Sequence, residues 1–431
     1  MGTTTTGSPT SRARAGRSST LRNVVAFCLM LALSAFGYEF VFLILTVHVY
    51  DLTHRAFSVG VFTAITFLPK MFSAVYGVLV DWYDGRWILA VNAGLVGVLA
   101  FALGVAEHVT AICVLWFVAT IFIMFINTTR TALMAVIMPA GDYPWGNSVI
   151  LAILNAARIG APALAGLVMR RLDEQVLMLV ASGGYVLCAA SSLALEAPPA
   201  CVERCEANDA VAGRGVARPR ATASSLKEGL RYIAQSGSIR RLGAIGVCWR
   251  LFLGMQLSLF VVYVTHHLGR SEAEYGVFMT AVALGSLVGS VIGPFVARIF
   301  DEKRLIMAGL VLHYASFGAL GLVADYQVAL AVAFASFCVF YVTVVGIHSL
   351  RDRSTRADVR GRVYGASTSI FTPPTIVSIL VGGYLADVVG VNIVFACSGA
   401  LAAASAIWIV WNLEVPARVP ALAAAADEDP E

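Results

Sequence analysis

The chain has 431 residues, 59% hydrophobic and 13% charged, with a mean hydropathy of +0.80 and a formal net charge of +4. So much apolar surface excludes a soluble globular protein, and an excess of basic residues this small offers nothing to a nucleic acid. A helix of about 20 residues crosses the roughly 30 Å hydrocarbon layer, so this length supplies about twelve crossings and leaves no room for a large extramembrane domain.

Residues 1–22 are rich in Ser and Thr, carry Arg12, Arg14, Arg17 and Arg22, and contain no acid. The apolar stretch that follows, Val24 to Val49, is too long for a signal-peptide core, so a first membrane helix is expected behind a disordered tail. Further apolar stretches fall near 57–80, 87–106, 109–138, 147–169, 175–195, 241–265, 274–297, 305–323, 328–350, 363–386 and 391–413. Twelve spans are therefore expected, in an all-α membrane protein. Lys and Arg alternate sharply between successive loops: 22 lie on the side of the two termini, and only Arg55, Arg170, Arg171 and Arg270 lie on the other. Because cytoplasmic loops accumulate these residues, both termini are expected inside.

The polar stretch 196–240 separates residues 23–195 from 241–413, two bundles of six helices, with 414–431 as a second tail. An offset of 216 places Leu52 on Leu268, Gly60-Val61-Phe62 on Gly276-Val277-Phe278 and Gly77 on Gly293. A duplicated six-helix unit is the plan of a large class of transporters. Within the linker, Ser225-Leu226-Lys227-Glu228 reads as a capping box opening a short amphipathic helix, with Leu226, Leu230 and Ile233 on one face. Six cysteines (Cys28, Cys113, Cys188, Cys248, Cys338 and Cys397) sit in apolar segments, where they pack as small hydrophobes. Cys201 and Cys205 form a lone C-x-x-x-C in the linker, a pattern too sparse for a metal site.

The turn after the second span reads Gly77-Val78-Leu79-Val80-Asp81-Trp82-Tyr83-Asp84-Gly85-Arg86. It resembles the G-x-L-x-D-R-x-G-R signature of the major facilitator superfamily, with Trp82 in place of Arg. Gly293 to Arg298 and Asp301 to Arg304 form a degenerate second copy, in which Ala297 replaces the acid. The resemblance implies an inner gate formed by Gly77, Asp81, Gly85 and Arg86 with Arg130. Asn155-Ala156-Ala157-Arg158-Ile159-Gly160-Ala161-Pro162-Ala163-Leu164-Ala165-Gly166 is similar to the fifth-helix stretch of the enterobactin-exporter and macrolide-efflux branch, a relative of the antiporter motif carried here by Gly160, Pro162 and Gly166. Val49 to Thr53, Leu68-Pro69 and Leu226 to Tyr232 resemble the same branch, which implies export.

No G-x-x-x-x-G-K-[ST], G-x-S-x-G, H-E-x-x-H or Cys/His cluster is present, so neither an enzyme, a metal nor a cofactor is expected. Transport then draws on an ion gradient or on the cargo alone. Ionisable groups at bilayer depth cost about 2.5–3.5 kcal/mol and face a cavity or a partner. Those several turns from a span end are Glu39, Lys70, Arg158, Arg250 and His313. Glu39, the only carboxylate well inside a span, is either a proton carrier or the permanent partner of Arg158 or Lys70. His313 either titrates or packs as a hydrogen-bonded residue beside Tyr314. Three deep cations against one acid favour an anionic cargo.

Glycines at 285, 289 and 293 form a packing stripe, while Gly382-Gly383 with Pro373-Pro374 suggest a bending helix. The aromatic residues Tyr38, Trp116, Trp249, Tyr263 and Tyr341 either line a cavity or anchor helices at the interfaces. The expectation is a monomeric, proton-coupled exporter in a bacterial inner membrane, with a siderophore as first cargo. Multidrug or macrolide efflux, organic-acid uptake, and a non-transporting sensor or membrane enzyme remain as alternatives.

Overall fold

The computed structural model describes residues 9–72, 76, 79–80, 84–137, 143–195, 231, 233–235, 237–355 and 360–412. Gly77 and Asp81 of the expected gate, the capping box, Cys201 and Cys205 lie outside them. The described chain is helical: α1 Pro9–Thr53, α2 Ala56–Phe67, α3 Gly85–Gly104, α4 Val109–Ile137, α5 Tyr143–Val168, α6 Glu174–Leu193, α7 Gly237–Val262, α8 Glu272–Ile299, α9 Glu302–Leu320, α10 Tyr326–Ser354, α11 Arg360–Val389 and α12 Val391–Trp411. α1 is helical from Pro9, earlier than the boundary at 22 read from sequence, although its membrane-length apolar portion begins at Arg22.

Ten of these helices are long and apolar enough to cross a membrane. α9 opens on Glu302-Lys303-Arg304 and falls short in hydropathy, and α2 falls short in length. The second apolar stretch is thus not one unbroken helix. Pro69 lacks an N–H and its ring clashes with the carbonyl one turn back, so the α-helix stops at Phe67. A 3-10 turn, Pro69–Phe72, continues it, with Met71 N–H donating to the Leu68 carbonyl at 3.1 Å.

The duplication extends to element boundaries. The first residues of α2, α3, α4, α5 and α6 recur 216 or 217 positions later as those of α8, α9, α10, α11 and α12. Within the halves, α3 packs on α6, α8 on α10 and α9 on α12. The C-terminal half is centred on Phe260, whose ring meets Phe278, Phe317, Phe337 and Phe395 at centroid distances of 5.2 to 6.3 Å. Edge-on aromatic contacts of this kind add about 0.5–1.5 kcal/mol per pair to the burial of the rings.

The halves meet chiefly along α5 with α8 and along α2 with α11. Both crossings rest on glycine. A Cβ on Gly276 would lie 2.7 Å from both the Gly166 Cα and the Pro162 carbonyl oxygen, and one on Gly60 would lie 3.1 Å from the Ile379 carbonyl oxygen. Gly60 and Gly276 are related by the 216-residue offset, as are Gly166 and Gly382. The α2–α11 crossing is also polar: Asp387 at the end of α11 accepts hydrogen bonds from the backbone N–H groups of Ala56 (2.7 Å) and Phe57 (3.1 Å). The orphan donors of the α2 N-terminus are therefore capped by a carboxylate from the other half. Gly276→Val should wedge the α5–α8 crossing apart at an overpacking cost of about 1–3 kcal/mol. Thermal unfolding in detergent should show a lowered midpoint, whereas Gly94→Ala, at a position with no neighbour within 4 Å, should leave it unchanged or raised.

Candidate functional site

Three of the deep charges read from sequence converge in one place. Ser34, Tyr38 and Glu39 of α1, Lys70 of the 3-10 turn, Asn127 and Arg130 of α4, Arg158 of α5 and Tyr185 of α6 line a cavity of about 210 Å³. All its lining residues belong to the N-terminal half. The helical period presents Ser34, Ala35, Tyr38 and Glu39 on one face of α1. The break at Pro69 places Lys70 within a tight turn, where its Nζ lies 4.1 Å from the centre of the Phe67 ring, a cation–π contact.

Glu39 Oε1 lies 3.7 Å from Arg158 Nε, and the two side chains are 27% and 54% exposed. The pair thus faces open space rather than being locked between helices, and a long, half-solvated contact of this kind holds little energy of its own. Lys70 also lies within Coulombic reach of Glu39. Behind the chamber, Tyr38 stacks on Trp116 and Phe42 at 6.0 and 6.1 Å, and Trp116 Nε1 donates to Thr66 Oγ1 at 2.9 Å. The Tyr185 hydroxyl is buried without a partner, and its ring abuts Gly37, where a Cβ would come within 3.0 Å. On the other side of α1, Leu33, Phe36 and Phe40 join residues of α5 and α6 around an apolar cleft of about 500 Å³.

The other two deep residues do not line the chamber. Arg250 of α7 lies within Coulombic reach of Lys70, and its guanidinium carbon is 5.5 Å from the Trp249 ring centre. His313 is buried in the C-terminal half at 1% exposure, wedged against Phe337, Phe340 and Tyr314. Its Nδ1 stands 2.8 Å from Ser336 Oγ and 3.1 Å from the Ser336 carbonyl oxygen. His313 thus sits in a packed aromatic cluster away from the chamber. Trp249 packs edge-on against Phe340 and Tyr263 is fully buried, so of the five aromatic residues singled out only Tyr38 lines the chamber.

Around the expected gate, Asp84 caps α3 by accepting from the Arg86 backbone N–H at 3.0 Å, and Arg86 Nη2 lies 2.7 Å from Asp84 Oδ2. Arg86 Nη1 donates to the Leu195 carbonyl at 3.1 Å, tying α3 to the end of α6. A Cβ on Gly85 would stand 3.1 Å from Thr129 and Leu133 of α4. Arg130, assigned to the gate by resemblance, lines the chamber. Of the antiporter-like residues, Pro162 and Gly166 form the α5–α8 crossing, and Gly160 has only the Phe36 ring nearby at 3.7 Å. Asn127, Ser34 and Tyr185 were not anticipated. Asn127 sits three residues before Arg130 on the same helical face, the one clue that could have found it.

Apolar helices in two pseudo-equivalent halves that meet along glycine crossings, with a charged chamber in the N-terminal half, define a multi-pass membrane transporter. The Major Facilitator Superfamily model matches residues 27–372 and 242–428, and the chain belongs to that family. It is similar to a Mycobacterium tuberculosis protein named multidrug efflux pump Tap, with 28% identity over 379 residues covering 84% of this chain and 85% of the relative. The same degree of similarity holds for the Mycobacterium bovis protein of that name. Among solved structures, the nucleoside transporter NupG superposes with a TM-score of 0.72 at 12% identity, covering 92% of this chain and 100% of that one. A D-xylose-proton symporter gives 0.66 at 15% identity, covering 91% and 98%.

Burial alone would push the Asp84 carboxyl up, but hydrogen bonds from the Arg86 side chain and backbone, together with its charge, outweigh that and hold it below the ordinary carboxylate value. A carboxyl held low in the folded state adds stability above its unfolded value, and loses it as pH falls through the folded one. Asp84→Ala should therefore cost about 1 kcal/mol near neutrality through the lost cap. The difference in unfolding midpoint between variant and wild type should close in acid.

Proposed function

We propose that this protein is a secondary active exporter working by alternating access, exchanging a proton carried by Glu39 for a small polar or amphiphilic molecule that bears negative charge or acidic hydroxyls. One observation carries the reading: a single carboxylate, Glu39, shares its chamber with Lys70, Arg130 and Arg158. The unliganded chamber holds an excess of positive charge that an anionic group would offset and that a cationic drug would increase. A metal-free siderophore falls in this class and is the first choice. Arg250 lies within Coulombic reach of Lys70 and reinforces the field, while the inner gate is left to Asp81.

The charge asymmetry of the loops supports both termini on the cytoplasmic side of a bacterial inner membrane, with the face at which α1 ends, near Thr53, turned outward. The name of the mycobacterial relative supports export. A second reading, efflux of amphiphilic drugs through the same scaffold, is favoured by the apolar cleft beside α1 and the aromatic wall of Tyr38, Phe42 and Trp116.

Reconstituted vesicles test the reading directly. Glu39→Gln should abolish exchange driven by a pH gradient while inserting normally; full exchange in this variant removes Glu39 from the cycle. Lys70→Ala should raise the half-saturating concentration of an anionic cargo about tenfold, the equivalent of one charge-assisted contact of about 1.4 kcal/mol, and leave that of a neutral drug unchanged. In cells, deleting the gene under iron limitation should leave siderophore inside. Unchanged secretion together with increased drug susceptibility would select the second reading.

A further inference from the structure

At the face where α1 ends, the seam between the halves carries a contact unlike the glycine crossings. Asp51 of α1 and Glu272, the first residue of α8, hydrogen-bond side chain to side chain across it. Two carboxylates cannot make this bond, because neither has a hydrogen to donate; one of the four oxygens must be protonated. The surroundings increase the demand for that proton. Glu174 of α6 lies beside Glu272, with its Oε2 against His48 Nδ1 and its Oε1 buried without a partner. His48 and His54 face Asp51 from α1 itself. Thr265, in the turn Tyr263–His267 that follows α7, and Asp387 of α11 face the neighbouring Tyr50. The nearby cation Arg270 is turned to Glu274, 3.5 Å away.

We propose that Asp51 and Glu272 form a proton-operated latch: one proton shared across the seam holds the two halves together at this face, and its loss sets Asp51, Glu272 and Glu174 against one another and releases it. The closed seam holds one proton more at this pair than the separated seam does, so the closed population falls as pH rises. Of the other seam contacts, Asp387 accepts from the α2 backbone N–H groups and the glycine crossings carry no charge.

Hydrogen–deuterium exchange on the full-length protein in detergent, corrected for intrinsic rates, reads the latch without reference to cargo or direction of transport, so it stands or falls separately from the exporter reading. Protection of the amides at the start of α2 and α8 should fall about tenfold between about pH 5 and about pH 8, the factor that a one-unit difference in proton affinity between two states carries. Asp51→Asn combined with Glu272→Gln, which keeps a hydrogen-bonding pair without a titrating proton, should flatten that response while leaving protection within α3 and α10 unchanged. A wild-type protein whose seam protection is independent of pH, or a double variant that responds as wild type does, overturns the proposal. Should the double variant not fold, the single Asp51→Asn variant, expected to reduce the response in the same direction, decides it.

Discussion

A charged side chain survives in hydrocarbon only where something other than lipid surrounds it, and this constraint shapes the N-terminal half. Glu39, Lys70, Arg130 and Arg158 come from four different segments, yet all line one chamber. Sharing it is the least costly arrangement open to them, because each unpaired ion buried separately would meet its own desolvation penalty. Glu39 and Arg158 are far enough apart, at 3.7 Å, and exposed enough, that their contact remains replaceable. A chamber whose internal ion pair is weak is one whose charges stay available to a ligand or a proton.

That chamber is useful only if the two halves move as bodies, and the seam shows how they can. Equivalent glycines in the two repeats, Gly60 and Gly276, bring backbones into contact at the two crossings. Contact between flat backbone surfaces involves no interlocking side chains, so separating and re-forming it requires no repacking of a core. Polar contacts at one end of the same seam, such as Asp387 on the α2 N-terminus, then set which arrangement prevails.

The helical membrane fold and the gathering of Glu39, Lys70 and Arg158 were legible in the sequence because each rests on a strong local signal: length of apolar run, or an ion where ions are costly. What escaped was information about neighbours. Arg130 reads as a gate residue from its motif context, and only the fold shows that its face of α4 turns toward Glu39. Tyr185 looks like any interfacial aromatic until Gly37 is seen to make room for its ring. His313 and Arg250 have the depth of chamber residues, but depth carries no information about direction around the helix axis. Leu68-Pro69 was legible as a motif, yet the interruption it causes in the second span was not drawn from it.

The repeat makes a further point, because the scaffold is duplicated while its charge is not. At the 216-residue offset that relates the halves, Glu39 falls on Met255, Lys70 on Ser286, Arg130 on Gly346 and Arg158 on Pro374. One position further, the offset at which four of the helices begin, gives Gln256, Leu287, Ile347 and Thr375, again without charge. If both halves held ions, the centre of the molecule would bear two desolvation penalties and offer two competing places for a proton. Concentrating the chamber's ions in one half means that a change of charge state there acts against one partner surface, to which Arg250 of α7 adds a positive field.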